Sequence, residues 1–334
     1  LGDRNDVHCV SIEHKLGIKA SPTAVLQFGD HGGAVGYLVG QENRGLEYMF
    51  IMMNAARYAV GIQGIAVAER AYQQAVAYAK DRVQSRPVDG SMPGSAPIIH
   101  HPDVRRMLMT MRAYTEGCRA MAITAAAAYD AAHAHPDAEV RKQNQAFYEF
   151  MVPLVKGYST EMSLEVTSLG VQVHGGMGFI EETGAAQHYR DSKILTIYEG
   201  TTAIQANDLV GRKTARDGGQ TAKAIAGQIE ATEAALARRD SVAARAMLKR
   251  LKAAREAFVQ VVDFIASQAK GNPNAAFAGS VPYLMLAGNL MAGWQLARAL
   301  LVAEDKLAAG EDTAFMQAKI ATARFYAEHI LAKV

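Results

Sequence analysis

The sequence predicts a mainly α-helical protein: a four-helix bundle, preceded by the remnant of a β-domain and followed by a further helical domain. Three observations carry this reading. The composition is rich in helix formers and poor in breakers, with 50% apolar residues, 15 Met and only 9 Pro in 334 residues. Apolar residues recur every second position near the start, then switch at Leu46 to a helical period. Prolines fall where helices would open, at Pro102-Asp103 and Pro136-Asp137.

Residues 1–44 are read as strands. Val10 and Ile12, then Ala24, Leu26 and Phe28, then Tyr37 and Val39 alternate at period two, with turns at Ser21-Pro22, Gly29-Asp30 and Gly32-Gly33. Three short strands do not make a stable sheet domain alone, so they read as the tail of a larger one. From Leu46 the positions Met49, Met53, Ala56, Val60, Gly64 and Val67 share a helix face, and no proline follows until Pro87. That predicts one helix of roughly 35 residues, about 50 Å long, which needs packed neighbours. Pro87 to Pro97 is a loop, and Pro102 opens the second helix. The third starts at Pro136-Asp137 and runs to about Gly170, kinked at Pro153. A Gly-rich stretch from Gly175 to Gly184 and a short connector lead to the fourth, Thr201 to Lys213. The bundle therefore spans 45–213. After the break at Asp217-Gly218-Gly219, three or four amphipathic helices fill the remainder of 214–334.

Composition excludes several function classes. Lys+Arg 35 against Asp+Glu 33 leaves a net charge of +2, without the footprint of a nucleic-acid binder. From Ala222 onward 14 basic residues face 10 acidic ones, a mild excess spread along solvated helix faces. Cys9 and Cys118 are too few for a disulfide scaffold or a cysteine zinc site, and a reducing cytoplasm is the default. No basic segment followed by an apolar run opens the chain. The longest uncharged stretch, Gly271 to Ala297, is broken by Pro273, Gly279 and Pro282 and reads as a buried helix, so no membrane span is expected. The ten histidines lack metal-ligand spacing, and no metal is expected. Gly-x-Ser-x-Gly is absent, and Gly175-Gly176-Met177-Gly178 does not fit the dinucleotide fingerprint.

The segment Arg190 to Gln205 remains as the candidate for chemistry. Glu199 stands in an apolar setting just before a helix N-terminus, followed by Gly200, which allows a ligand to approach closely. If bound substrate excluded water there, desolvation would raise the carboxylate pKa toward that of a useful base. A carboxylate that only stabilises the helix dipole is the alternative.

Tyr198-Glu199-Gly200-Thr201, with Gln172-Val173-His174-Gly175-Gly176-Met177-Gly178-Phe179 and Arg190-Asp191, resembles the C-terminal part of flavin-dependent acyl-CoA dehydrogenases. Gly17-Ile18-Lys19-Ala20-Ser21-Pro22-Thr23 is similar to the family's middle β-domain, and Gly40 to Leu46 to its exit into the helical domain. The resemblance covers residues 7 to 213, and residues 220–334 resemble the added helical domain of a larger subfamily.

It implies that Glu199 removes the α-proton of an acyl-CoA thioester while the β-hydride passes to FAD, giving a trans-2-enoyl-CoA. The backbone N–H of Glu199, in the tight turn with Gly200, would bond the thioester carbonyl. Arg57 and Tyr198 would line the substrate region, although Asn54 stands where the family often has Asp. Arg82 would reach the FAD of a neighbouring subunit with Gln84, where Ser85 replaces a common aromatic and the loop from Arg86 to His101 is expanded. Gln172, Gly175 and Gly176 would contact the adenosine half across the subunit boundary. Thr201 would contact FAD from the base's own subunit, with Ala203 replacing a frequent Gln. The resemblance further implies a homodimer or homotetramer and an electron-transfer flavoprotein as electron acceptor. The family's N-terminal helical domain and most of its β-domain have no counterpart here, so the chain reads as a fragment expected to retain flavin poorly. A relative repurposed for DNA binding or assembly is the alternative function.

Overall fold

The computed structural model describes residues 2–334. Strands β1 (Val7–Ile12) and β2 (Ala24–Phe28) pair antiparallel, Val7 opposite Phe28 and Ile12 opposite Ala24, with a register shift between Cys9 and Ser11. The third expected strand is absent: residues 34–40 take no regular structure, and Tyr37 and Val39 are 89% and 87% exposed. Alternation at period two specifies a strand only where another strand offers its ladder, and none lies beside this segment.

The bundle follows. Helix α1 (Gly45–Asp81) turns up, α2 (Pro102–Ala134) down, and α3 (Ala138–Pro153) with α4 (Ser159–His174) up again. Pairs across the bundle fix these directions: Tyr58 donates to the Ala122 carbonyl and Arg119 to Glu69, whereas Tyr78 stacks on His174. Pro102 occupies the first turn of α2. Asp137 caps α3 by accepting from the Glu139 N–H at 2.8 Å. The apolar stripe of α1 is buried only from Val60 onward; Leu46, Met49, Phe50, Ile51 and Met52 of the first two turns are exposed. Among the described residues α1 is the one helix long and apolar enough to cross a membrane (mean hydropathy 1.2). Its second half, however, carries Glu69, Arg70 and Lys80 and packs into the bundle.

Pro153 does more than kink the third helix. It lacks an N–H, and the chain beyond it widens into one π turn, Leu154–Tyr158, fully buried, before α4 resumes and ends at His174 rather than near Gly170. Close approach by α1 makes room for this turn: a Cβ on Gly61 would lie 2.3 Å from the Val155 carbonyl oxygen. The Gly-rich stretch coils into short 3-10 turns. The connector after it is a helix, α5 (Ala185–Ser192), whose eight residues are too few for periodicity to announce it. Helix α6 (Thr202–Val210) is capped by the Thr201 hydroxyl and continues as a π turn to Ala215.

Beyond Asp217, whose carboxylate accepts from the Gly219 and Thr221 N–H groups, come α7 (Gln220–Leu236), α8 (Val242–Gln268), α9 (Pro273–Ala278), α10 (Ser280–Ala308) and α11 (Thr313–His329). The uncharged stretch 271–297 forms α9 and most of α10, with Tyr283, Leu284, Leu290 and Met291 buried. Helix α10 packs on the bundle so closely that a Cβ on Gly288 would sit 2.2 Å from the Tyr158 ring. One cluster of buried apolar side chains runs from Ile65 of α1 to Leu331 after α11.

Candidate functional site

The turn between the 3-10 segment Lys193–Thr196 and α6 places Glu199 and Gly200 consecutively at positive φ, +54° and +92°. Glycine takes that conformation freely; glutamate does so at a cost of roughly 1–3 kcal/mol, which persists only where surrounding contacts over-determine it. Here they do. The Gly200 carbonyl accepts from Lys156 Nζ at 2.6 Å and from Gln205 Nε2 at 3.3 Å, and the Glu199 carbonyl accepts from Gln205 Nε2 at 3.4 Å. A Cβ on Gly200 would lie 2.7 Å from Gln205 Nε2, so the glycine also makes the close contact possible. Thr201 completes the turn, its Oγ1 accepting from the Ile204 N–H at 3.3 Å.

Glu199 itself is exposed, not set among apolar groups as its sequence neighbours imply. Any exclusion of water around its carboxylate therefore comes from groups brought to it, such as a bound ligand. Tyr198 is half-buried and donates through its hydroxyl to Gln63 Oε1 of α1; burial, and then the charge of Glu199, raise the phenol pKa.

Beneath the turn lies a buried polar group that the sequence reading does not single out. Lys156, on the π turn, is fully buried. Desolvation brings its pKa down to about 8; Arg57 adds to the fall, and Glu161 and Glu199 oppose it. Glu161 accepts from the Thr202 hydroxyl at 2.5 Å. Arg57 of α1 is also buried, with Nη1 3.1 Å from Asp208 Oδ2 of α6, while its Nε has no hydrogen-bond partner. A trace of Lys156 is visible in the sequence: one lysine inside the apolar run Val152 to Tyr158, a residue type seldom fully buried unless paired.

Next to Tyr198 opens a cavity of about 950 Å³, walled by the hairpin loop Lys15–Thr23 on one side and by Gln63, Val67, Ile194 and Tyr198 on the other. Two motifs distant in sequence build its rim. The Ile18 N–H, at φ +47°, donates to Asp191 Oδ1 at 2.7 Å, and Gly17 sits so close that a Cβ would lie 2.6 Å from that oxygen and 2.7 Å from the Arg190 carbonyl. Gly17→Ala is expected to lift this loop off α5 at a local cost of about 1–3 kcal/mol. Limited proteolysis within residues 13–23 then speeds up while the thermal midpoint of the helical body holds.

The remaining sequence-predicted residues gather elsewhere. Arg82 ends α1; Gln84 follows it, its N–H donating to the Ala96 carbonyl and its carbonyl bonded to His101 Nε2. Gln172, Gly175 and Gly176 lie at the end of α4, beside Arg82 through the stack of Tyr78 on His174 at 4.4 Å. This second group is roughly 28 Å further along α1 than Gln63, at 1.5 Å per residue. The chain thus separates the residues around Glu199 from those around Arg82. On the hairpin, Asp6, His8 and His31 bring ligand-type atoms within 4.8 Å, a proximity absent from the sequence spacing, but the Asp6 carboxylate is committed to the His31 N–H at 2.6 Å.

Comparison with known proteins identifies the family of the chain. A family model described as acyl-CoA dehydrogenase, C-terminal domain, matches residues 43–213, and one described as acetyl-CoA dehydrogenase C-terminal like matches residues 225–334. The 3-methylmercaptopropionyl-CoA dehydrogenase of Ruegeria pomeroyi is 60% identical over 98% of this chain and 55% of its own length. The broad-specificity linear acyl-CoA dehydrogenase FadE5 of Mycobacterium tuberculosis is 38% identical over 99% and 56%. An acyl-CoA dehydrogenase from Bacillus anthracis, solved in complex with FAD, shares the fold at TM-score 0.76 and 22% identity, over 98% of this chain and 55% of that one. The chain spans about half the length of the curated relatives it matches.

Proposed function

Since this chain belongs to the acyl-CoA dehydrogenase family, we propose that it carries the catalytic base of an FAD-dependent acyl-CoA dehydrogenase, which converts an acyl-CoA thioester to the trans-2-enoyl-CoA. The observation that carries the reading is the Glu199-Gly200 turn, two successive residues at positive φ held by Lys156 and Gln205 at the edge of a cavity. Backbone strain maintained by buried contacts is a mark of functional sites.

In this reading the exposed Glu199 carboxylate takes the α-proton once the acyl chain displaces water from around it. The Glu199 N–H bonds the thioester carbonyl, where negative charge develops. Tyr198 and Arg57 shape the substrate side. A bound FAD would supply the acceptor for the β-hydride.

The second residue group suits such a cofactor. Arg82, Gln84 and Gln172 are exposed donors, and a Cβ on Gly175 or Gly176 would meet nothing within 4 Å, so that backbone lies open to a ligand. With Thr201 on the base's side and Arg82 roughly 28 Å along α1, one subunit would serve two cofactors, and we place the protein in a homodimer or homotetramer. An electron-transfer flavoprotein would take the electrons, and a reducing cytoplasm suits the free Cys9 and Cys118. We keep the division into residues 1–44, 45–213 and 214–334, the last two close to the matched spans. Nucleic-acid binding gains no support: Lys223, Arg239, Arg255 and Lys306 of the last region pair with Asp263, Asp305, Glu233 and Glu311.

Anaerobic mixing of the flavin-loaded protein with a panel of acyl-CoA thioesters tests the proposal. The panel should include 3-methylmercaptopropionyl-CoA, for which the Ruegeria relative is named. At least one thioester is expected to bleach the flavin absorbance with formation of an enoyl-CoA. A stoichiometrically flavinated protein that none of them bleaches overturns the proposal.

A further inference from the structure

Lys156 stands out among the buried groups because nothing in the reaction just described requires it. An ammonium removed from water costs several kcal/mol unless paired and hydrogen-bonded. Among the described residues no carboxylate lies within hydrogen-bonding distance of it; the partner it has is a backbone carbonyl, that of Gly200.

The chain is built to deliver it there. Pro153 cannot donate, the helix widens into the Leu154–Tyr158 π turn, and this turn points Lys156 at the loop instead of at solvent. Gly61 of α1 admits the turn, and Gly157 lets Gln205 and Leu284 close over its other side, where a Cβ would lie 3.1 Å and 2.9 Å from them. The charged groups acting on the ammonium are Glu161 of α4, Arg57 of α1 and Glu199 of the loop. From α6 comes the uncharged Gln205, which shares the Gly200 carbonyl, and from α10 the apolar Leu284.

We infer that Lys156 is a positioning residue for the base: its charge-assisted bond to the Gly200 carbonyl holds the Glu199-Gly200 turn in its strained conformation, so that the carboxylate and the Glu199 N–H face substrate together. The inference rests on the reading of Glu199 as the base. It makes the turn responsive to pH, because the ammonium, with its pKa brought down to about 8, becomes a neutral and weaker donor in the mildly alkaline range. Misplacing a reacting group by about 1 Å costs up to ~10²-fold in rate.

The test has two readouts, and the first needs no cofactor. Amide hydrogen exchange over residues 198–203 is expected to rise at least about tenfold in Lys156→Met, with exchange in α8 unchanged. In the flavin-loaded protein, Lys156→Met is expected to lower kcat by about 10–10²-fold with KM within about twofold. Wild-type kcat is expected to decline above pH 8, whereas Lys156→Arg, which does not titrate there, keeps most of the activity and loses the decline. If Lys156→Met fails to fold, Lys156→Gln, which retains a donor but no charge, carries the same measurements. A folded variant with wild-type exchange at 198–203, or with raised exchange and wild-type kcat, overturns the inference. Neither result touches the reading of Glu199, which stands or falls with the Glu199→Gln variant.

Discussion

Asp208→Leu is expected to destabilise the protein by about 3–5 kcal/mol, the cost of leaving one member of a buried ion pair without its partner. Arg57 and Asp208 are each 8% exposed, and their 3.1 Å contact joins α1 to α6, the helix that begins immediately after the Glu199 turn. Arg212 also approaches Asp208, at 3.5 Å, but its side chain is largely exposed, so water replaces what it loses. Arg57 has no such recourse, and its Nε is already without a partner. The double variant Arg57→Met/Asp208→Leu is therefore expected to recover most of the lost stability, because two apolar side chains of similar volume substitute for a buried pair at little net cost. Chemical denaturation of the wild type, both single variants and the double variant checks this. Additive losses would show that the two side chains do not act as a pair.

Much of the architecture is legible in the sequence because its punctuation is local. Pro102, Asp137 and Thr201 mark helix starts by a fixed φ or a side-chain oxygen, and Asp217-Gly218-Gly219 marks the break after the bundle. What is not legible depends on partners. Tyr37 and Val39 alternate as a strand would and form none, since no ladder lies beside them. Pro153 announces a kink, but whether the helix bends, breaks or widens depends on how closely Gly61 and Gly157 let α1, α6 and α10 approach.

The site divides in the same way. Glu199 and Gly200 stand out through their neighbours in the chain, and so do the glycines near Gln172. Lys156, Gln63, Glu161 and Asp208 reach the site from α1, α4, α6 and the π turn, 41 to 151 residues away along the chain from the contacts they make. The apolar sequence around Glu199 misleads about its surroundings, because Ile197 is itself 47% exposed and the carboxylate faces solvent. The cavity rim follows the same logic: Gly17-Ile18 and Arg190-Asp191 read as two unrelated motifs until the Ile18 N–H is seen on Asp191.

The central claim is that Glu199 is the base, and the rate of anaerobic flavin reduction by a competent acyl-CoA, compared between wild type and Glu199→Gln, tests it most directly. The amide keeps the size and hydrogen-bonding reach of the side chain but cannot accept the α-proton. General-base removal is worth about 10²–10⁴-fold, and a loss at least that large is expected with flavin content and acyl-CoA binding retained. The turn should persist in the variant, since its bonds to Lys156 and Gln205 are made by backbone carbonyls. A Glu199→Gln variant that reduces flavin at the wild-type rate contradicts the account.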